Sequence, residues 1–438
     1  MTKNSLAVAV EALSWMAYAG MGERTALLKA ADEAEGIDPN ELRQAHRMVM
    51  ETSRFQNKLD YLITQVIPAD KLSKTPHGIR SLLRVITYAR YVDGACEREV
   101  ERIVHWARQA LGWQELRPYE ETIARLVIGS VSLDTNSLTE SERLAVETCH
   151  PNWYVERLTL AFGRSSALQI LKRDLHTVPT YIRTNALNPG YENSLTQTLH
   201  ASKVEGVKDT FRLSGRSATE TKLLSTGQII IQDLASIVTG IVASPLPGQS
   251  VLDVCASPGT KTTHLAAQMQ NEGQICSIEL SPSRIPQWRK EIEGAGCSIA
   301  QIVRADARMI PIHEDFDVVL VDPPCSNTGV FARNPAAKWE MTRGKVRDLS
   351  LRQSAILQAS SKHVASNGTL LYCTCSILPE ENEFVVELFL RKNLEFELVS
   401  QEPFMGSPGL RGLSECQRFF PHLHDCNGYF IAKMRRKA

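Results

Sequence analysis

The run SVLDVCASPGTKTTHLAAQMQNEGQICSIE, Ser250 to Glu279, reads as a short strand, a tight turn, a helix and a second short strand. Ser250–Val254 and Gln274–Glu279 are brief, β-branched and apolar, as strands buried on both faces are. The segment between them, Lys261–Gln270, is long enough for a helical crossover, so the two strands are expected to be parallel neighbours. The same alternation continues downstream. Ile299–Val303, Phe316–Val321 and Thr369–Thr374 read as further strands, with helices at Pro282–Gly294, Asp348–Val364 and Pro379–Lys392. A last apolar run, Tyr429–Met434, is expected to add an edge strand. Residues 229–438 therefore read as one α/β domain, a doubly wound, Rossmann-like nucleotide-binding sheet.

Upstream the texture changes. Residues 1–145 read as helix after helix, with Ile79, Leu82, Leu83, Val85, Ile86, Tyr88 and Ala89 spaced for one buried stripe. Punctuation at Gly36–Pro39, Pro68, Pro76–Gly78 and Gly112 predicts about five to seven helices there. Residues 146–228 are mixed and read as a connecting α/β subdomain, with an extended segment at Thr180–Asn185 and a polar stretch at Ser214–Thr226.

The 438 residues allow two or three cores. Forty-nine basic residues balance 49 acidic ones, so any nucleic-acid contact must come from local patches, not from a global field. Ten scattered cysteines fit reduced thiols better than a disulfide scaffold. No run approaches the roughly 18 apolar residues of a membrane span, and Glu11 interrupts the apolar N-terminus, which suits an amphipathic helix better than a leader. A cytoplasmic protein is expected, with no membrane partner and nothing that demands more than a monomer.

In open α/β sheets ligands bind beyond the carboxyl ends of the strands. Asp253 near the end of the first strand, Glu279 ending the second and Asp306 after the third put three carboxylates there. An acid ending the second strand can grip both hydroxyls of a ribose. The turn Cys255, Ala256, Ser257, Pro258, Gly259, Thr260 and Lys261 lacks GxGxxG, which disfavours NAD. It also departs from a P-loop, because Cys255 and Thr260 stand where glycines are required. One glycine, a helix amino terminus and Lys261 suit a smaller anion, the carboxylate of a methionine.

The fourth strand ends in Asp322, Pro323, Pro324, Cys325 and the fifth in Tyr372, Cys373, Thr374, Cys375. Neighbouring strand ends share a crevice, so two thiols and a carboxylate converge. Methylation of an exocyclic amine needs only an oriented lone pair and a stacking aromatic, whereas carbon 5 of cytosine must first be activated by a nucleophile added at carbon 6. A thiolate suits that step, and a second cysteine has a role when the first is expelled. The residues themselves do not rank Cys375 above Cys325. The expected helix at Pro379 would favour a thiolate at Cys375, while Glu380, Glu381 and Glu383 oppose it.

These segments together resemble the NOL1/NOP2/Sun family of RNA cytosine-5 methyltransferases, and within it the bacterial small-subunit rRNA enzymes. The resemblance is carried by IQDLAS from Ile231, VLDVCASPGTKTTH from Val251, DPPCSNTGVFARNP from Asp322, the KW pair at Lys338, TLLYCTCSILPEENE from Thr369 and RFFPHLHDCNGYFIA from Arg418. HPNWYVERL at His150 and YIRTN at Tyr181 match preceding elements, and the helical N-terminus resembles a NusB-like RNA-binding domain.

The resemblance implies an S-adenosylmethionine-dependent methyltransferase sheet behind an all-α NusB-like domain. It implies that Cys375 is the nucleophile, that Cys325 assists product release, that Asp322 faces the N3 and N4 edge of the base, and that Lys261 lies close by. Cys255 to Lys261, Glu279, Asp306 and Asp322 would hold S-adenosylmethionine. The implied partner is RNA, most simply 16S rRNA in a single-stranded or loop region, because a paired base would have to be flipped.

Alternatives are a tRNA cytosine-5 methyltransferase or an RNA-binding ribosome-assembly factor with an inactive methyltransferase half. Thr260 and Asn327 stand where the family usually has glycine; asparagine tolerates a left-handed backbone. Arg333, Lys338, Arg343, Lys345, Arg347 and Arg352, interleaved with Phe331 and Trp339, read as phosphate and stacking contacts, against a solvated helix face. Cys373, Cys375, His422, His424 and Cys426 match no structural zinc spacing, so no metal is expected.

Overall fold

The computed structural model describes every residue except Met1, Glu35, Ser130, 190–199 and 214–221. Most of the polar stretch expected at Ser214–Thr226 thus lies outside the described residues. The chain divides into two compact units, Met1–Leu175 with Asn334–Glu340, and His176–Arg333 with Met341–Ala438.

The first unit is helical. Its centre is the helix His77–Tyr91, in which the expected stripe Ile79, Leu82, Leu83, Val85, Ile86, Tyr88 and Ala89 is buried, and Ser81, Arg84 and Thr87 are buried as well. A helix hidden on all sides is a core helix, and the helices Lys3–Ala19, Gln56–Thr64, Glu97–Leu111 and Glu120–Ile128 pack around it. The region holds more helices than the punctuation suggested, because short pieces such as Ala69–Lys74 and Trp113–Leu116 leave no periodicity to read.

Asn334–Glu340, far along the sequence, belongs to this unit. The ammonium of Lys338 is buried and donates to the carbonyls of Arg54 (2.8 Å) and Cys149 (2.5 Å), and Trp339 Nε1 donates to Ser53 O (2.5 Å). Arg54 is the last residue of the helix Pro39–Arg54, so the cation meets the negative end of a helix. Phe331 is buried too. Lys338 and Phe331 are therefore interior residues, and the expected basic-aromatic surface contracts to the exposed Arg343, Lys345, Arg347 and Arg352 on the helix Arg343–Ser360.

The second unit carries a small antiparallel sheet and a large mixed one. In the small sheet β1 (Thr180–Thr184) pairs with β3 (Thr210–Leu213) and β4 (Ile229–Ile231), and β2 (Ala201–Lys203) flanks β3. The large sheet contains β5 (Ser250–Val254), β6 (Gln274–Glu279), β7 (Ala300–Arg304), β8 (Phe316–Val321), β9 (Val364–Thr374), β10 (Phe396–Leu398), β11 (Ser407–Pro408), β12 (Gln417–Phe419) and β13 (Tyr429–Arg436). Its order is β11-β12-β13-β9-β8-β5-β6-β7, with β10 also paired to β13.

The five strands from β7 to β9 are parallel, as the alternation with helices requires, and β13 is antiparallel to β9. Side chains alternate between two cores. Val251, Val318, Leu320, Leu371 and Cys373 face one, and Leu252, Val254, Val319, Val321, Leu370 and Tyr372 face the other.

Two expectations are corrected. β13 is not an edge strand but lies between β9 and β12, since β11 and β12 are too short to leave a sequence signal. The helix expected from Pro379 starts only at Glu383, after a 3-10 turn at Pro379–Glu381. Glu383 is fully buried and forms a bidentate pair with the buried Arg418 of β12. Arg418 Nη1 also donates to Ile377 O (2.9 Å), fastening the loop that follows β9. Removing one member of such a pair leaves an uncompensated buried charge. Arg418→Ala is expected to cost about 3 to 5 kcal/mol, read as a lower urea midpoint for unfolding of the sheet-bearing unit; a shift under about 1 kcal/mol, the range of an exposed pair, contradicts this packing.

Candidate active site

Five parallel strands finish at one end of the large sheet, and a polar group stands at or just after each of them. At the end of β5, Asp253 is buried and accepts from Thr262 Oγ1 (2.6 Å), so it braces the helix Thr260–Gln268 and is closed off from the crevice. Burial raises its carboxyl to about 6, against the bond from Thr262 and the nearby Lys261 ammonium. The turn after β5 needs unusual backbone angles: Cys255 has φ 66° and Gly259 φ 111°, and a Cβ on Gly259 would come within 3.2 Å of the Trp288 ring. Thr260, the family departure, starts the helix, and Gly259 before it takes the left-handed backbone angle. The Cys255 thiol is pushed up by burial, consistent with a packed side chain and not a reactive one.

Glu279 ends β6, is 4% exposed, and accepts from Ser281 N (2.8 Å) through Oε1, with Arg284 Nη1 at 3.5 Å from Oε2. That Oε2 has no hydrogen-bond partner, and neither has the buried hydroxyl of Ser257. Asp306, after β7, is solvent-accessible and chelated by Arg308 (Nη2 to Oδ2 2.6 Å), whose hydrogen bonds hold its carboxyl down at about 2.

Beyond β8 and β9 lie the thiols. The parallel register Val321↔Tyr372 brings the two strand ends level, and Cys325 Sγ lies 3.1 Å from Cys375 Sγ, both half-buried and free. The hydrogen bond with Cys375 and burial push the Cys325 thiol well above the usual cysteine range. Lys261 Nζ donates to Asp322 Oδ2 (2.6 Å) and lies 5.6 Å from the centre of the Tyr429 ring. Burial opposes its charge, but Asp322 more than offsets that and holds the ammonium above the usual lysine range. The structure thus places Lys261 with Asp322 on the side of the cysteines, and its ammonium is already engaged by a carboxylate.

Residues 241–435 match the family described as 16S rRNA methyltransferase RsmB/F. This likeness supports the NOL1/NOP2/Sun family, of which these enzymes are a branch. It is 27% identical to a probable ribosomal RNA small subunit methyltransferase B of Bacillus subtilis over 422 residues, 92% of this chain and 93% of that one. It is 35% identical to a tRNA (cytosine(72)-C(5))-methyltransferase of Pyrococcus horikoshii over 243 residues, 55% of this chain and 60% of that one. In fold it matches the crystal structure of PH0851 with a TM-score of 0.84 at 24% identity, covering 100% of this chain and 99% of the other.

S-adenosylmethionine is the cofactor of this family. The residues here fit it: the unpartnered Oε2 of Glu279 suits a ribose hydroxyl, the unpartnered Ser257 hydroxyl lies in the turn, and the bare Gly259 keeps that turn close to the helix start.

Several site residues gave no readable signal. Asn327, noted only as a departure, has φ 57°, and its Oδ1 accepts from Cys375 Sγ (2.9 Å) and is 4.0 Å from Cys325 Sγ. Gly329 N donates to Cys375 O (2.9 Å), and a Cβ there would meet Gly428 O at 2.0 Å, so only glycine permits this crossing of three segments. The helix begins only at Glu383, and its cap residue Asn382 accepts from Thr374 Oγ1 (2.6 Å) and donates to Ser376 O (2.8 Å), the residues on either side of Cys375. Among the described residues no group of three His, Cys, Asp or Glu side chains is placed to hold a metal ion.

Asp253 provides a test of the crevice floor. Its folded carboxyl, at about 6, lies above the ordinary 3.8, so its stabilising contribution is complete below about pH 4 and is lost as pH rises through about 6. That loss amounts to about 3 kcal/mol. Urea unfolding at pH 4 and pH 7 should show a smaller drop in Asp253→Asn than in the parent protein; parallel behaviour would place this carboxylate in water.

Proposed function

We propose that the protein transfers a methyl group to carbon 5 of a cytosine in small-subunit ribosomal RNA, with Cys375 as nucleophile and Cys325 as the residue that releases the product. The observation that carries this reading is the pair of free sulfurs 3.1 Å apart beside the Lys261–Asp322 pair. An amine methyltransferase has no use for two thiols in one crevice, and an inactive binding module has no reason to keep them reduced and adjacent.

S-adenosylmethionine, when bound, supplies the methyl group. Glu279 would take the ribose, the Ser257–Gly259 turn the methionine portion, and Asp306 would exchange Arg308 for the base side of the cofactor. The thiolate of Cys375 bonds to carbon 6, and the displaced π electrons reach carbon 5 and the N3 edge. Asp322 faces that edge, and the Lys261 ammonium bonded to it supplies the positive charge that compensates. Carbon 5 takes the methyl group. Its proton then passes to water, the bond between carbon 6 and sulfur breaks, and the double bond re-forms. The departing sulfur is met by the S–H of Cys325, whose raised affinity for its proton keeps it a donor. Asn327 holds Cys375 before the base arrives.

Ribosomal RNA is favoured over tRNA because the similarity to the rRNA enzyme of Bacillus subtilis runs through the helical half as well, whereas the similarity to the tRNA enzyme spans 55% of this chain. The reading places the protein in the cytoplasm as a monomer acting on a single-stranded or loop segment. Exposed Arg343, Lys345, Arg347 and Arg352 are the phosphate contacts nearest in sequence to the cysteine loop. No helix among the described residues is long and apolar enough to cross a membrane.

Labelled methyl transfer to unmodified small-subunit rRNA and to tRNA tests both parts. Incorporation into rRNA is expected, with a fall on the order of 10⁴-fold or more in Cys375→Ala. Cys325→Ala is expected to accumulate a denaturation-resistant complex with ordinary cytosine RNA. Full activity in Cys375→Ala overturns the mechanism, and incorporation into tRNA alone overturns the substrate.

A further inference from the structure

Beneath the two cysteines lies a carboxylate that the mechanism above does not use. Glu381 is fully buried. Its Oε1 accepts from the backbone N–H of Ser326 (2.8 Å) and from Gln353 Nε2 (2.9 Å), and its Oε2 accepts from the hydroxyls of Ser326 and Ser376. An ionised carboxylate has about four acceptor sites, so four donors saturate it. Nothing remains for substrate or cofactor.

The donors are unusual in where they come from. Ser326 follows Cys325 and Ser376 follows Cys375, so one side chain grips the residue next to each thiol. The partners are fixed in turn: Gln353 Nε2 also donates to Pro324 O (2.9 Å), Thr328 Oγ1 is 2.9 Å from Ser376 Oγ and accepts from Ile377 N (3.1 Å), and Tyr372 OH donates to the Glu381 carbonyl (2.6 Å). Burying a charge is costly unless its bonds do something a neutral group cannot. Here three of the four donors belong to two loops separated by 50 residues in sequence. Only an acceptor-only anion can accept on both oxygens; a neutral amide or a protonated acid would turn a donor toward one of the two donor pairs, the serine hydroxyls or Ser326 N–H with Gln353 Nε2.

We propose that Glu381 is the positioning residue of the reacting pair, fixing the separation of the Cys325 and Cys375 sulfurs by holding the residue that follows each; this rests on the reading of those two cysteines given above. Two consequences follow. Without the anchor the loops are free to part, and a misplacement near 1 Å at a reacting atom costs about 100-fold in rate. The same negative charge is among the causes that keep the proton on Cys325, so its loss makes that thiol more acidic.

The test is single-turnover methylation of rRNA across pH by the full chain and by Glu381→Gln, Glu381→Asp and Ser326→Ala/Ser376→Ala, with Cys375→Ala alongside. Glu381→Gln is expected to retain cofactor binding while the methylation rate falls about 100-fold, and the high-pH limb of its profile is expected to move to lower pH. Glu381→Asp, which keeps the charge, is expected to keep the parent's high-pH limb at reduced rate, and the double serine variant is expected to be slow with an unshifted limb.

A Glu381→Gln enzyme within threefold of the parent at every pH overturns the proposal, as does one whose loss is the same at all pH values. If Glu381→Gln does not fold, the double serine variant decides: a rate equal to the parent's overturns the proposal, and a slow, folded, cofactor-binding enzyme supports it. Failure of the underlying mechanism appears separately, as activity that survives in Cys375→Ala.

Discussion

The parallel pairing of β8 with β9 is the constraint on which the site depends. Because Val321 lies opposite Tyr372, the segments DPPCS and TCS leave the sheet side by side, and two sulfurs far apart in sequence come to 3.1 Å. A one-residue slip would turn every side chain of β9 to the other core, placing Tyr372 where Cys373 now lies. Both cores resist this, since Leu371 and Cys373 fill one while Leu370 and Tyr372 fill the other. The hydrophobic effect sets the register, and the register sets the chemistry.

Around the crevice, carboxylates of the same chemical type are separated by environment. Asp253 is sealed below a helix start and rises to about 6, whereas Asp306 is held down at about 2 by Arg308. Asp322 keeps the Lys261 ammonium beside the thiols, Glu279 presents one unpartnered oxygen, and Glu381 has none to offer. The proposed roles of bracing, cofactor contact, charge compensation and anchoring draw on these differences in surroundings, not on residue type.

Much of the sheet was legible in the sequence. The limits of β5, β6 and β8 coincide with the runs Ser250–Val254, Gln274–Glu279 and Phe316–Val321, because strands buried on both faces are predominantly apolar. β9 begins five residues before the expected Thr369, as its first half, VASNG, is half-exposed and polar. Convergence of Cys325, Cys375 and Asp322 followed from strand ends alone.

What could not be read were roles that depend on which way a side chain turns. Glu381 reads as an unfavourable charge near a thiolate yet is saturated by Ser326, Ser376 and Gln353. Lys338 reads as a phosphate contact yet caps carbonyls in the helical unit. Asn327 reads as a tolerated replacement of glycine yet accepts a hydrogen bond from Cys375 Sγ. In each case the partner is distant in sequence, and spacing carries no trace of it.

The central claim is that Cys375 carries the bond to the base while Cys325 stands beside it. A crystal structure of the protein trapped on RNA containing 5-fluorocytosine, which cannot lose its carbon-5 substituent as a proton, tests this most directly. The account predicts continuous density from Cys375 Sγ to carbon 6, a methyl group on carbon 5, and Cys325 Sγ within hydrogen-bond reach of the bonded sulfur. A bond from Cys325, or a base lying outside the crevice between β8 and β9, would contradict it.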